Sequence, residues 1–260
     1  MRVIIIGAGR GLRLMPSTVD QPKCFAKVAG TRILDWILQA FSENGIEDIC
    51  FIGGYRVGEV ERDYPYFTFR YNRDWESNNI LESLMCAEDL MSQPFICCYS
   101  DTLFTSCLIR ELASSAGDIA LSVDRTWLER YRHRTDHPPT DAEKVTVEDG
   151  FVSRIHRDIP SNSAYGEYTG IAKFSEVGAE VLKDSYRRCK RRCSGGPFRE
   201  ASIFEKAYLI HLFQEMIEDG IRFNHVDSAG EYIEIDTQQD FELAKEKWPV
   251  QTVAGRSCRK

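Results

Sequence analysis

A handful of small, cationic and acidic residues along this chain have the types and spacing needed to handle phosphate. Gly7-Ala8-Gly9-Arg10-Gly11 puts little side chain between backbone and ligand, so its N–H groups can point at anionic oxygens. Arg10, Arg13 and Lys23 set three cations about that run, in a chain whose formal net charge is -7. Far away in sequence, Asp101 and Asp236 close two apolar stretches, in Tyr99-Ser100-Asp101-Thr102 and Glu234-Ile235-Asp236-Thr237. Two carboxylates on separate strand ends suit a Mg²⁺ ion completed by water and phosphate oxygens. Val3 to Ile6, β-branched and without a polar face, reads as a strand buried on both sides that feeds straight into the glycine run. Together these read as a nucleotide site.

Spacing decides which nucleotide chemistry. A dinucleotide-binding turn needs Gly-x-Gly-x-x-Gly, but Leu12 occupies the third glycine position, and the P-loop pattern is missing. What is present is Gly9-x-Gly11-x-Arg13, followed by Pro16, Thr18 and Pro22-Lys23. This resembles the signature of the nucleotidyltransferases that make activated sugars and polyol or choline head groups. The departures are Gly7 for a usual Ala, Leu12 for Ser or Thr, and Ser17 for Leu, none of which removes a charge. The resemblance implies in-line displacement at the α-phosphorus with pyrophosphate leaving. Arg13 would then take the β- and γ-phosphates, and Lys23 the α-phosphate and the incoming phosphate. Asp101 and Asp236 would hold Mg²⁺. Without the metal, two carboxylates held so close would repel, and neutralising either is expected to stabilise the fold.

A second stretch, Tyr71 to Leu84, carries Asn72, Asn78, Asn79 and Ser83. It resembles a segment of the bacterial choline-phosphate cytidylyltransferases. Short amides and a hydroxyl at a helix start could meet a pyrimidine edge and a ribose, and Asn78 or Asn79 would also cap that helix. Cytosine is the base this favours. Gly7, Ala8, Gly9, Arg10 and Gly11 complete the expected nucleotide contacts. The rivals are a sugar-1-phosphate uridylyl-, thymidylyl- or guanylyltransferase, and a regulatory module that binds nucleotide without turnover.

Positioning such residues requires strands that end together. Ile49 to Ile52, Tyr66 to Tyr71, Phe95 to Tyr99 and Ile119 to Val123 read as further strands, separated by helices near 33–43, after Asn79 and over 105–115. That alternation predicts an α/β fold, doubly wound around a mostly parallel sheet, with ligands at the carboxyl ends of its strands. The resemblance makes it Rossmann-like, of the GT-A nucleotidyltransferase type. Residues 1–248 form one domain on this reading, with a nucleotide half to about 123 and an acceptor half from 124. The second half would carry a small β-rich insert: strands at Lys144 to Val147, Phe151 to Ile155 and Glu167 to Phe174, the first two joined by an Asp149-Gly150 hairpin. Helices follow near 176–191 and 202–219, the second striped by Ile203, Ala207, Ile210 and Ile217. Strands at Ile221 to Val226 and Tyr232 to Ile235 come next. Thr237 would cap a last helix, and residues 249–260, without periodicity, read as a loose tail.

The acceptor is the least legible partner. Asp124, Trp127, Asp141, Glu143, Glu167, Tyr168 and Lys173 are its expected contacts, since they lie in the second half. Trp127, Tyr131 and the acidic residues could hold a cationic amine such as a choline or aminoethyl group. Trp127 serves equally well as core, and Glu143 as a solvated strand residue. His133 and His137 could touch phosphate. The acidic balance, 40 Asp+Glu against 33 Lys+Arg, argues against nucleic acid as a partner, and the longest apolar runs are strand-sized. The chain enters a strand at once, which leaves no signal peptide, and the expected compartment is the cytoplasm. Nine cysteines, among them Cys24, Cys50, Cys86, Cys97, Cys98 and Cys107 in apolar contexts, read as buried thiols rather than disulfides. Cys189 and Cys193 lack a second pair and are not read as zinc ligands. Homodimerisation is left open.

Overall fold

The computed structural model describes residues 1–15, 18–132, 134–193 and 195–255. Pro16 and Ser17 of the loop motif, and His133, lie outside the described residues. In chain order the elements are β1 (Arg2–Gly7), β2 (Lys27–Val28), β3 (Thr31–Arg32), α1 (Ile33–Ser42), β4 (Asp48–Gly53), α2 (Val57–Asp63) and β5 (Thr68–Tyr71). Then come α3 (Ile80–Met85), β6 (Phe95–Tyr99), β7 (Thr102–Phe104), α4 (Ser106–Ser114), β8 (Ile119–Asp124), α5 (Trp127–Tyr131), β9 (Lys144–Glu148) and β10 (Phe151–His156). The last are β11 (Gly166–Phe174), α6 (Glu176–Arg192), α7 (Leu209–Glu218), β12 (Asn224–Ser228), β13 (Tyr232–Glu234) and α8 (Gln238–Gly255).

The main sheet runs β10-β9-β11-β6-β1-β4-β5, with β8 on β11 and β12 on β8. β6, β1, β4 and β5 are parallel, as the strand–helix alternation predicts. Consecutive residues of β1 feed opposite layers: Ile4 and Ile6 pack into one core, Val3 and Ile5 into the other. This is the doubly wound α/β fold, but the sheet is mixed rather than parallel throughout. β11 enters antiparallel to both β6 and β8. The expected β-rich insert is therefore continuous with the main sheet. β11 is buried along its whole length and is long enough to pair with β9 at one end and β6 at the other. Its register shifts between Tyr168 and Ala172, where Gly170 adopts φ 76°. A Cβ there would stand 2.5 Å from the Tyr99 ring, so only glycine lets the strand pass this close.

Several local expectations shift. The Asp149-Gly150 hairpin forms with both residues at positive φ. The helix placed at 202–219 begins only at Leu209: a short 3₁₀ turn, Phe204–Lys206, precedes it and Ile203 is exposed. Phe204, fully buried, is what that turn inserts into the core. Thr237 caps α8, accepting from the Asp240 N–H at 3.2 Å while Asp240 accepts from the Thr237 N–H at 2.9 Å. The helical backbone continues to Gly255, into the stretch expected to be a loose tail. Cys24, Cys50, Cys86, Cys97, Cys98, Cys189 and Cys193 are free, whereas Cys107 is disulfide-bonded, against expectation. Among the described residues no helix is long and apolar enough to cross a membrane.

Candidate functional site

The loop after β1 turns at Gly11, whose φ of 66° only glycine adopts without strain. A Cβ on Gly11 would also meet Lys23 Cδ at 2.8 Å. The loop thus packs on the Lys23 side chain, and the Thr18 hydroxyl donates to the Gly11 carbonyl at 3.1 Å. Lys23 lies in a short 3₁₀ turn after Pro22 and is buried, with its ammonium between two carboxylates. Nζ donates to Asp101 Oδ2 at 2.6 Å and to Asp236 Oδ1 at 2.7 Å. Burial opposes the charge on Lys23, yet the two aspartates outweigh it and its pKa rises. Burial likewise pushes Asp236 up, but Lys23 and Arg13 win and bring it to about 2. Arg13, largely exposed, reaches Asp236 Oδ2 at 2.7 Å. Arg10 lies 5.3 Å over the Tyr55 ring, outside this cluster.

A two-stranded ribbon brings the aspartates together. β7 and β13 pair antiparallel, Thr102 opposite Glu234, so Asp101 before one strand and Asp236 after the other fall at the same end. The Ile235 N–H donates to the Asp101 carbonyl at 3.0 Å and extends the ladder to that end.

The amide cluster forms behind the loop. Buried Asn72 exchanges hydrogen bonds with Asn78 at 2.7 and 2.9 Å and donates to Ser83 Oγ at 2.8 Å. Asn79 caps α3, accepting from the Ile80 N–H at 2.8 Å, and donates to the Lys206 carbonyl at 3.1 Å. Asn78 and Asn79 each keep one donor and one acceptor position beyond these bonds, whereas Asn72, which also accepts from the Asp74 N–H at 3.1 Å, has none left and supports the other amides from behind instead of meeting a ligand.

Two clefts open here. The smaller, about 200 Å³, is walled by Gly7, Ala8, Gly9 and Gly11, by Lys23 and Asp101, and by Asn78, Asn79 and Ser83. The larger, about 620 Å³, takes Arg13, His137, Asp141, Glu143, Arg157, Glu167, Tyr168, Tyr208, Tyr232, Glu234 and Asp236. Gly9, Asn79, Ile80, Tyr99 and Asp101 face both.

Three expected acceptor contacts lie elsewhere. Asp124 is fully buried and spends its carboxylate on Thr126, Gly230 and Arg130. Trp127 is core, edge-on to Tyr131 at 5.6 Å. Lys173 donates to the Ser115 carbonyl at the far end of β11. The sequence reading passed over Trp75, Tyr99, Arg157, Tyr208, Tyr232 and Glu234. Glu234 had a legible signal, since it stands two before Asp236 on a strand and so shares its face. Arg157, just past β10, had none.

The acidic group suits a hard divalent cation. Besides the Asp101–Asp236 pair, His137, Glu234 and Asp236 place ligand atoms within 4.8 Å of one another. Burial first, then the nearby Asp236 charge, raises the Glu234 pKa well above normal despite Arg134, leaving a carboxylate that gains from a cation. Carboxylate oxygens are the donors Mg²⁺ takes.

A mixed Rossmann-like sheet of the GT-A type, with a basic glycine loop and paired aspartates at one edge, defines a nucleotidyltransferase. The chain belongs to the MobA-like NTP transferase domain family, whose model matches residues 3–142. It is similar to the CTP:phosphoglutamine cytidylyltransferase of Campylobacter jejuni, with 28% identity over 95% of this chain and 100% of that protein. It is 31% identical to a 2-aminoethylphosphonate cytidylyltransferase of Lancefieldella rimae over 36% of this chain and 40% of that one. In fold it matches a CTP:phosphocholine cytidylyltransferase from Streptococcus pneumoniae with TM-score 0.72, 19% identity and coverage of 94% and 97%. The protein is thus an NTP-using transferase acting on a small phosphorylated group.

Proposed function

We propose that this enzyme is a Mg²⁺-dependent cytidylyltransferase that joins CTP to a small phosphorylated or phosphonate head group and releases pyrophosphate. The observation that carries this is the meeting of two clefts at Asp101, one walled by the glycine loop and amides, the other mostly by the second half of the chain, with Arg13 at its edge. Residues to about 123 hold the nucleotide on this reading, and 124–248 the acceptor. Arg13 steadies the β- and γ-phosphates, and Lys23 stays with the α-phosphate as charge develops there. A bound Mg²⁺ on Asp101 and Asp236 would neutralise phosphate charge. The acceptor phosphate is already a nucleophile, so the chain orients it and need not activate it with a base. Asn78, Asn79 and Ser83, each with hydrogen-bonding capacity left over, meet the nucleoside. The relatives named for CTP support cytosine.

Pyrophosphate release is the test, measured with the four nucleoside triphosphates against phosphocholine, aminoethyl phosphate and phosphonate, amino-acid phosphates and glucose 1-phosphate. CTP should be used best. Preference for UTP or a purine triphosphate with a sugar phosphate would replace this reading with a sugar nucleotidyltransferase.

A further inference from the structure

The larger cleft contains a feature that a purely cationic acceptor does not explain. Four tyrosines line it, which could form a cage for a quaternary ammonium. Two of those rings already carry cations of the protein. The Arg157 guanidinium lies 4.2 Å over Tyr208, and the Arg130 guanidinium 4.6 Å over Tyr232. Glu167 is committed too, to Arg130 at 2.8 Å and the Tyr131 hydroxyl at 2.6 Å. Glu143 and Arg157 are different. They form an ion pair with each other at 3.1 Å, both on the cleft wall, and Arg157 keeps 37% of its side chain exposed. Arg157 Nε and the Tyr99 and Tyr168 hydroxyls, all buried, make no hydrogen bond among the described residues. Two of these three donors are phenols of residues on the cleft wall, as Arg157 is.

We propose that the acceptor carries a carboxylate as well as an ammonium, in the manner of an α-amino acid, and that Arg157 is the residue that selects for it. The proposal rests on the cytidylyltransferase reading and names its substrate class. In an α-amino acid the two charges flank one carbon, which lets it bind an adjacent Glu–Arg pair by exchange: ammonium on Glu143, carboxylate on Arg157. A decarboxylated acceptor leaves Arg157 facing another cation, so the site rejects it by repulsion as well as by lost hydrogen bonds. Burial raises the Glu143 pKa although Arg157 opposes it, so an arriving ammonium can take over the charge compensation that Arg157 gives up on exchange.

The test uses matched acceptors that differ only by the carboxylate: O-phosphoserine with phosphoethanolamine, and O-phosphohomoserine with 3-aminopropyl phosphate. Pyrophosphate release with CTP gives kcat/KM for each. The wild type should favour the carboxylate-bearing member of at least one pair by on the order of 10²-fold, as loss of a charged hydrogen bond predicts. Arg157→Gln should bring that ratio close to one, and Arg157→Lys should restore part of it. Equal use of both members by the wild type, or a ratio that survives Arg157→Gln, overturns the proposal. Should a substitution fail to fold, the wild-type ratio still decides. Turnover of only the decarboxylated members rejects this inference and leaves the cytidylyltransferase reading standing. No turnover of any acceptor with any nucleoside triphosphate removes both.

Discussion

Lys23 holds two carboxylates at once, and that alters what its removal should do. A lysine placed only for phosphate would be silent without substrate, whereas this one bridges Asp101 and Asp236 in the free protein. On the proposed reading its charge passes to the phosphates during turnover, where positioned cations matter most. Lys23→Ala is therefore expected to lower kcat by roughly 10³-fold, a loss of the size seen when a transition-state contact is removed. Steady-state kinetics with saturating CTP and acceptor measure it, and a near-normal kcat would remove Lys23 from the reaction. The residues of the glycine motif could be read in advance because type and order both constrain them. Arg157 and Tyr208 could not, since only the folded chain stacks one on the other, 4.2 Å apart.

At the scale of elements, strand positions were legible and strand directions were not. An apolar run such as Ile119 to Val123 states that it is buried, but not that its neighbours are β11 antiparallel and β12 parallel. The start of α7 was missed for a related reason. Ile203 and Ala207 continue the helical spacing, yet the helix waits for Tyr208, whose N–H donates to His211 Nδ1 at 3.3 Å. His211 is buried there, and burial lowers its pKa to about 4. The unfolded chain takes up that proton near pH 6.5 and the folded chain does not until about 4, so the unfolded state binds more protons in between. Stability should thus fall as pH drops from about 6.5 towards 4. His211→Gln, which keeps a side-chain acceptor, should flatten that dependence. Urea unfolding at pH 7 and pH 5 compares the two slopes; identical slopes would mean that His211 titrates normally.

For the whole molecule, the carboxylate pair is a joint between distant parts of the chain. Asp101 and Asp236 flank the β7–β13 ribbon, and Lys23 and Arg13 tie it to the loop after β1. With Lys23 between them the aspartates are attracted to a common cation, so the expectation that neutralising one would stabilise the fold does not survive. Lys23→Ala instead leaves two partly buried like charges facing each other. Removing one partner of a buried pair costs about 3 kcal/mol, and the exposure of these side chains, 10% to 20%, keeps the estimate at the lower end of that class. The thermal midpoint of Lys23→Ala should accordingly fall by several degrees at neutral pH. Two conditions should close the gap. Mg²⁺ in millimolar excess supplies the missing positive charge, so it should raise the variant's midpoint more than the wild type's. Acid should act in the same direction: mutual repulsion raises one carboxylate's pKa in the variant, and protonation on going from pH 7 to about 4 relieves it. The wild type gains nothing there, because its Asp236 stays ionised to about 2. A deficit that neither Mg²⁺ nor acid reduces would show that Lys23 contributes packing alone, and that the aspartates do not share a cation.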